Sequence, residues 1–190
     1  EIHADMALFG ACHCPFAEVA ECAAANSITF GAPTKTFNLA GVVSSYAIVP
    51  DAGLRRRFFD WLRARELNEP TVFAPIATIA AFRRGETWRR EMLAYVEDNI
   101  RFVEAYCRDH LPAVRPVRPE AGFLVWLDCR RLGLNREQLL DLFVDKAHLA
   151  LNDGEMFGMG GAGFMRLNVG TPRAVLEQAM RQLAEAIAQL

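Results

Sequence analysis

Between Glu21 and Asp51 the chain carries a single ionisable charge, Lys35, set among small and apolar residues. That spacing constrains the local fold. Residues 27–30 and 42–49 are apolar runs of strand length, and residues 31–41 form a small-residue loop between them. An ammonium held alone in apolar surroundings loses hydration, which lowers its pKa and makes the amine a candidate nucleophile. A solvated loop lysine is the ordinary alternative. Usage weighs against it, because only Lys35 and Lys146 are lysines among the 21 Lys and Arg residues. A chain that otherwise uses arginine keeps an amine here, where a permanent guanidinium charge could not do amine chemistry.

A second lone charge lies far downstream. Between Glu155 and Arg173 only Arg166 is charged, within an apolar strand pattern at residues 164–169. A guanidinium in that setting needs an anion, and its planar fork matches a carboxylate. An internal ion pair is the structural alternative. Together, an amine able to form an imine and a fork for a carboxylate are the parts that amino-acid chemistry on an aldehyde cofactor requires. The glycine loop at residues 158–163 has neither the Lys-Ser/Thr ending of a P-loop nor the Gly-x-Gly-x-x-Gly dinucleotide fingerprint, so it reads as a loop near the arginine.

The rest of the chain reads as α/β. Asp51 is an N-cap for a helix to about residue 66. Residues 71–84 are nearly all apolar, which predicts a buried helix closed by Gly85 at C′. Residues 86–110 carry an amphipathic stripe from Trp88 to Tyr106, a rod of roughly 35 Å that can join two domains. Strands are expected at residues 122–128, 149–151 and 164–169, with a turn at 152–154. Asn135 and Gln138 form a capping box for a helix to about residue 146. Thr171 and Pro172 open a last helix. Residues 1–85 and 86–190 are thus expected as two domains, the second with a mainly antiparallel sheet and helices on one side.

With 190 residues, 52% hydrophobic and 23% charged, and a net charge of −2, the chain has no basic excess for nucleic acid or an anionic membrane. No apolar run reaches the length of a membrane span. The five cysteines, an odd number without framework spacing, read as reduced thiols of a cytoplasmic protein. His3, Cys12, His13, Cys14 and Cys22 could be read as a zinc site. Adjacent Cys-His-Cys lacks the gap that lets two thiolates share one tetrahedral ion, and no metal is the preferred reading. The start at Glu1-Ile2-His3-Ala4-Asp5, without Met, reads as entry into a longer polypeptide.

The run from Ala32 to Gly41, Ala-Pro-Thr-Lys-Thr-Phe-Asn-Leu-Ala-Gly, resembles the lysine motif of fold-type I pyridoxal-phosphate enzymes in the class I/II aminotransferase superfamily. It is most similar to the carbon–sulfur β-lyase branch, the cystathionine β-lyases. Glu1-Ile2-His3-Ala4-Asp5, His13-Cys14-Pro15-Phe16 and Asn152-Asp153-Gly154 through Arg166-Leu167-Asn168 carry the same likeness, with a weaker match at Pro119–Asp128. The resemblance implies the end of a large cofactor-binding domain in residues 1–85 and the small C-terminal domain in 86–190. It implies that Lys35 forms an imine with pyridoxal phosphate and then serves as the proton-transfer base. Arg166 would hold the substrate's α-carboxylate, His3 would lie near the cofactor's phenolic oxygen, and Thr34 would be a hydroxyl for its phosphate. Many relatives carry a serine three residues before the lysine, where this chain has Ala32. An aspartate that precedes Glu-Ile-His in the family, and the preceding half of the large domain, fall outside the sequence. The expected activity is elimination of a thiol from a cysteine-S-conjugate such as cystathionine, by a homodimer acting on small amino acids. Transamination is the enzymatic alternative, and a cofactor-less binding domain is the alternative for the isolated chain.

Overall fold

The computed structural model describes residues 1–190, which divide into two compact units, Glu1–Leu93 and Ala94–Leu190. In the first unit, β1 (Thr29–Gly31) and β2 (Tyr46–Ile48) form an antiparallel ribbon with Phe30 opposite Ala47. Gly31 is required in that ribbon: the Tyr46 ring lies where its Cβ would be. Helices α1 (Ala52–Arg63) and α2 (Phe73–Arg84) follow. Asp51 caps α1 as expected, its carboxylate accepting from the Leu54 amide at 2.6 Å.

Helix α2 overturns the expectation of burial. Only Ala74 and Ala81 are buried, whereas Phe73 is 75% and Ile76 64% exposed, and Val72, Ile79 and Phe82 are exposed too. The reason is size rather than polarity. Ala74, Thr78 and Ala81 recur at helical spacing, so the small stripe packs inward and the large side chains project from the other face. Thr78 hydrogen-bonds Ser44 at 2.6 Å, which ties that inner stripe to the segment before β2. Gly85 is also not the left-handed C′ residue expected, since its φ is −88°. Its lack of a side chain instead admits the Phe37 ring, 2.4 Å from where a Cβ would stand.

Helix α3 (Glu86–His110) has the expected limits and runs from the first unit into the second. The second unit holds a four-stranded antiparallel sheet of β3 (Arg115–Val117), β4 (Leu124–Asp128), β5 (Asn152–Asp153) and β6 (Phe164–Asn168), in the order β3-β4-β6-β5. Helices α4 (Arg136–Leu140), extended by a π-helical turn to Lys146, and α5 (Arg173–Ile187) complete it. The α/β class and the mainly antiparallel sheet are as the sequence predicts, and so is the capping box at Asn135 and Gln138.

Period-two alternation divides the sheet into two faces. Val125 and Leu127 of β4 and Met165 and Leu167 of β6 are buried in a core with Ile100, Val103, Phe143, Leu176, Met180 and Leu183 of the helices. Trp126, Asp128, Phe164 and Arg166 point to the opposite face. Cys107 and Cys129 sit in the core, where burial pushes each thiol up to about 12, so both pack as neutral side chains.

Two strand assignments change. β3 was not expected around Pro116, but it is an edge strand, where a residue without an N–H is tolerated. The strand expected at residues 149–151 lies instead at Asn152–Asp153, where a turn was expected. The Leu149 and Leu151 amides are consumed locally, by Phe143 O at 2.7 Å and Leu149 O at 2.9 Å.

Asn99, fully buried on α3, anchors the junction of β6 and α5. Its Nδ2 donates to Val169 O at 2.8 Å and Thr171 O at 2.9 Å, and its Oδ1 accepts from Arg173 Nε at 2.8 Å. Asn99→Ala strands all three partners and is expected to cost about 2–4 kcal/mol in chemical denaturation. Tyr95→Phe removes only the exposed bond from the Arg173 amide and should cost less than about 1 kcal/mol. Equal losses from the two variants would refute the anchoring role.

Candidate active site

The residues singled out by sequence lie in two groups, one in each unit. In the first unit, Lys35 sits on a turn directly after β1. Phe37 N donates to Pro33 O and Leu39 N to Thr34 O, each at 2.9 Å, and Asn38 takes the left-handed conformation at φ 53°. Thr36 and Phe37 are the residues that this turn drives inward. Thr36 is fully buried, and the Phe37 ring meets Phe82 edge-on at 5.7 Å and Trp88 at 6.0 Å. Alternation along the turn then leaves Lys35 exposed. The burial expected for this amine is not found: the apolar residues around it in sequence pack beneath the turn rather than over the ammonium.

Two polar groups belong with Lys35. His3, half-buried, lies within electrostatic range of it, and its imidazole is held below the ordinary range, first by burial and then by the Lys35 charge. The Thr36 hydroxyl is buried without a hydrogen-bond partner. Thr34, chosen from sequence, is half-buried, and its carbonyl helps close the turn. Sequence reading looked for a hydroxyl before the lysine and missed Thr36 directly after it. The signal was there, since a polar residue in a turn otherwise packed by apolar neighbours needs a partner.

In the second unit, Arg166 lies on the open face of the sheet, in register with Trp126 on β4 and Asn152 on β5. Its Nη2 donates to Asn152 Oδ1 at 2.8 Å, and its guanidinium carbon sits 4.4 Å from the centre of the Phe157 ring. No carboxylate pairs with it, which removes the structural ion-pair reading, and its Nε is buried without a partner. Asn152 is itself positioned. The next residue, Asp153, is buried, accepts from Arg136 Nε at 2.6 Å, and fixes β5 beside β6. Sequence reading identified the arginine but neither its amide support nor its ring support, because both depend on register across strands.

The thiol–imidazole cluster does not assemble. Cys12, Cys14 and Cys22 are exposed and free, His13 Nε2 meets Glu1 Oε2 at 2.9 Å, and no three His, Cys, Asp or Glu side chains converge on a point that could hold a metal.

No protein-family model matches the chain. Individual proteins do. It is 38% identical over 187 residues to cystathionine beta-lyase PatB of Bacillus subtilis, covering 98% of this chain and 48% of that protein. Protein MalY of Escherichia coli is 31% identical over 188 residues, covering 98% and 47%. Among solved structures, cystalysin from Treponema denticola, which contains pyridoxal 5′-phosphate, superposes with a TM-score of 0.93 at 28% identity, over all of this chain and 48% of that one. By sequence and fold the chain is therefore similar to the C-terminal half of pyridoxal-phosphate enzymes of the class I/II aminotransferase superfamily. Within that class it is a homologue of the cystathionine β-lyases, and it spans about half the length of the relatives it matches.

The proximity of His3 and Lys35 has a direct readout. The His3 ring is expected to titrate below the free-imidazole value of about 6.5. Lys35→Met removes the cation that opposes its protonation, so the pKa should move up while the contribution of burial stays. Following the ring protons by NMR across pH tests this. An unchanged His3 titration in the variant would show that the two groups do not sense each other.

Proposed function

We propose that the complete protein to which this chain belongs is a pyridoxal-phosphate-dependent carbon–sulfur β-lyase acting on cysteine-S-conjugates such as cystathionine. The observation that carries this reading is Arg166, whose buried Nε has no partner and whose neighbours are an amide and a ring rather than an acid. Such a fork suits the α-carboxylate common to amino acids. The residues of the first unit fit the cofactor: an exposed amine on a fixed turn and an imidazole held toward its neutral form within electrostatic range of it.

Lys35 would hold pyridoxal phosphate through its amine, with Thr34 toward the phosphate and His3 toward the phenolic oxygen. When bound, the cofactor supplies an electron sink that makes the α-proton of an amino acid removable. Lys35 Nζ would take that proton as general base. Arg166 would bind the carboxylate of the amino acid. His3, kept largely neutral by burial and the lysine charge, can hold a hydrogen bond without adding a cation. Residues 1–85 would belong to the large cofactor-binding domain and residues 86–190 to the small one. All five cysteines are free, which accords with a cytoplasmic setting, and no helix is long and apolar enough to cross a membrane.

Incubating the complete protein with cystathionine should release pyruvate. Lys35→Ala should lower turnover by about 10²–10⁴-fold and abolish the visible absorbance of the bound cofactor. Arg166→Gln should reduce kcat/KM by about 10–100-fold, the worth of a charged hydrogen bond. Keto-acid-dependent amino transfer with no pyruvate would replace the lyase reading with transamination.

The proposed partner is a second copy of the complete protein, docked on the exposed apolar face of α2. Ile76→Asp with Ile79→Asp places two charges on that face. Sedimentation should then show a monomer where the unaltered protein is a dimer. An unchanged mass would remove α2 from the interface.

A further inference from the structure

Beside Arg166 the open face of the sheet contains a pocket of about 430 Å³, lined by Val117, Trp126, Phe157, Gly160, Gly161 and Phe164. None of these side chains is charged or carboxamide-bearing, and the volume is that of a small-ligand site. Its walls are held in place. The Trp126 ring meets Phe157 edge-on at 5.4 Å and 85°, and Phe164 edge-on at 5.9 Å and 89°. Close backbone packing sets the glycine side, since a Cβ at Gly161 would stand 1.9 Å from Gly154 O. Phe157 belongs to both features: one ring lines the pocket and stacks on the Arg166 guanidinium. Trp126 likewise lines the pocket and lies opposite Arg166 in register. A second cation, Arg130 over the Phe164 ring, is already engaged by Asp128 through two hydrogen bonds.

We propose that this aromatic pocket is the side-chain subsite for the molecule whose carboxylate Arg166 binds, and that it selects cysteine conjugates with a bulky apolar group on sulfur. This rests on the carboxylate role given to Arg166 above, and it narrows the substrate class. A distal ammonium and carboxylate, as in cystathionine, would enter a pocket whose side chains offer neither a donor fork nor an acid. Their desolvation would go largely uncompensated, so cystathionine would still be cleaved but with a higher KM than an apolar conjugate. A benzyl or branched alkyl thioether would bury apolar surface against three rings. Conjugates of cysteine with apolar thiols are therefore the favoured substrates.

Two unreactive acids separate the subsite from the chemistry. Calorimetry on the complete holoenzyme should show 3-phenylpropionate binding about tenfold or more tightly than propionate, the gain from burying one phenyl ring. Arg166→Gln should weaken both acids. Trp126→Ala should bring the ratio of the two affinities close to one. Gly160→Leu provides a second variant that does not touch the rings: Gly160 lines the pocket and a Cβ there meets nothing within 4 Å, so a leucine is tolerated on the lining, and the ratio should fall. In turnover, kcat/KM for S-benzyl-L-cysteine should exceed that for S-methyl-L-cysteine by a similar factor, carried by KM. Equal binding of the two acids, or a preference that survives both variants, would overturn the subsite. An intact acid preference with no pyruvate from any conjugate would instead leave the subsite standing and reject the lyase chemistry.

Discussion

A single buried amide, Asn99, holds the second unit in register. Its side chain makes three hydrogen bonds, two donors on backbone carbonyls at the end of β6 and the start of α5, and the oxygen accepting from Arg173. The residues it ties together flank the sharp change of direction after β6, where neither strand nor helix hydrogen bonding can satisfy Val169 O and Thr171 O. The consequence reaches Arg166, the proposed carboxylate-binding residue, because β6 carries it three positions before Val169. Polar anchoring at the end of a strand sets the depth of the strand, and hence where a guanidinium on its open face can stand.

The two charged residues at the centre of the functional reading are positioned by opposite means. Lys35 is presented by a turn whose other members are pulled inward, Thr36 into the core and Phe37 between Phe82 and Trp88, so that the amine is left outside. Arg166 is gripped directly, by an amide at one end and a ring over its plane. An amine that has to form and break a bond gains from freedom of its long stem. A fork that must orient a substrate gains from being fixed before the substrate arrives. The difference in support therefore matches the difference in proposed role.

Much of this was legible in the sequence, and the failures share a cause. Local signals held: Asp51 and the Asn135–Gln138 box cap their helices, the stripe from Trp88 to Tyr106 marks α3, and alternation marks β4 and β6. The isolation of Lys35 and Arg166 in charge marked both residues, though not the exposure of the first. What failed depended on partners distant in the chain. Helix α2 looked buried because apolar composition was taken for inward packing, whereas the spacing of Ala74, Thr78 and Ala81 was the better guide. β3 was hidden by Pro116, which only an edge position permits. The supports of Arg166, on β5 and on the segment after it, cannot be seen without strand register.

That last failure also shows why the site chemistry is more specific than a motif. An arginine in an apolar strand is compatible with an internal ion pair, and composition alone cannot exclude one. The register does, by placing Trp126 and Asn152 on its two sides and no acid within reach. Asn152 takes one arm of the guanidinium without neutralising it, so the positive charge stays available to an anion while its geometry is held. Replacing that amide by a carboxylate would satisfy the arginine more strongly and, by the same step, leave its charge neutralised and unavailable for the carboxylate-binding role proposed for it. A neutral partner beside a half-buried cation thus fits the binding role proposed for Arg166 better than a purely stabilising one.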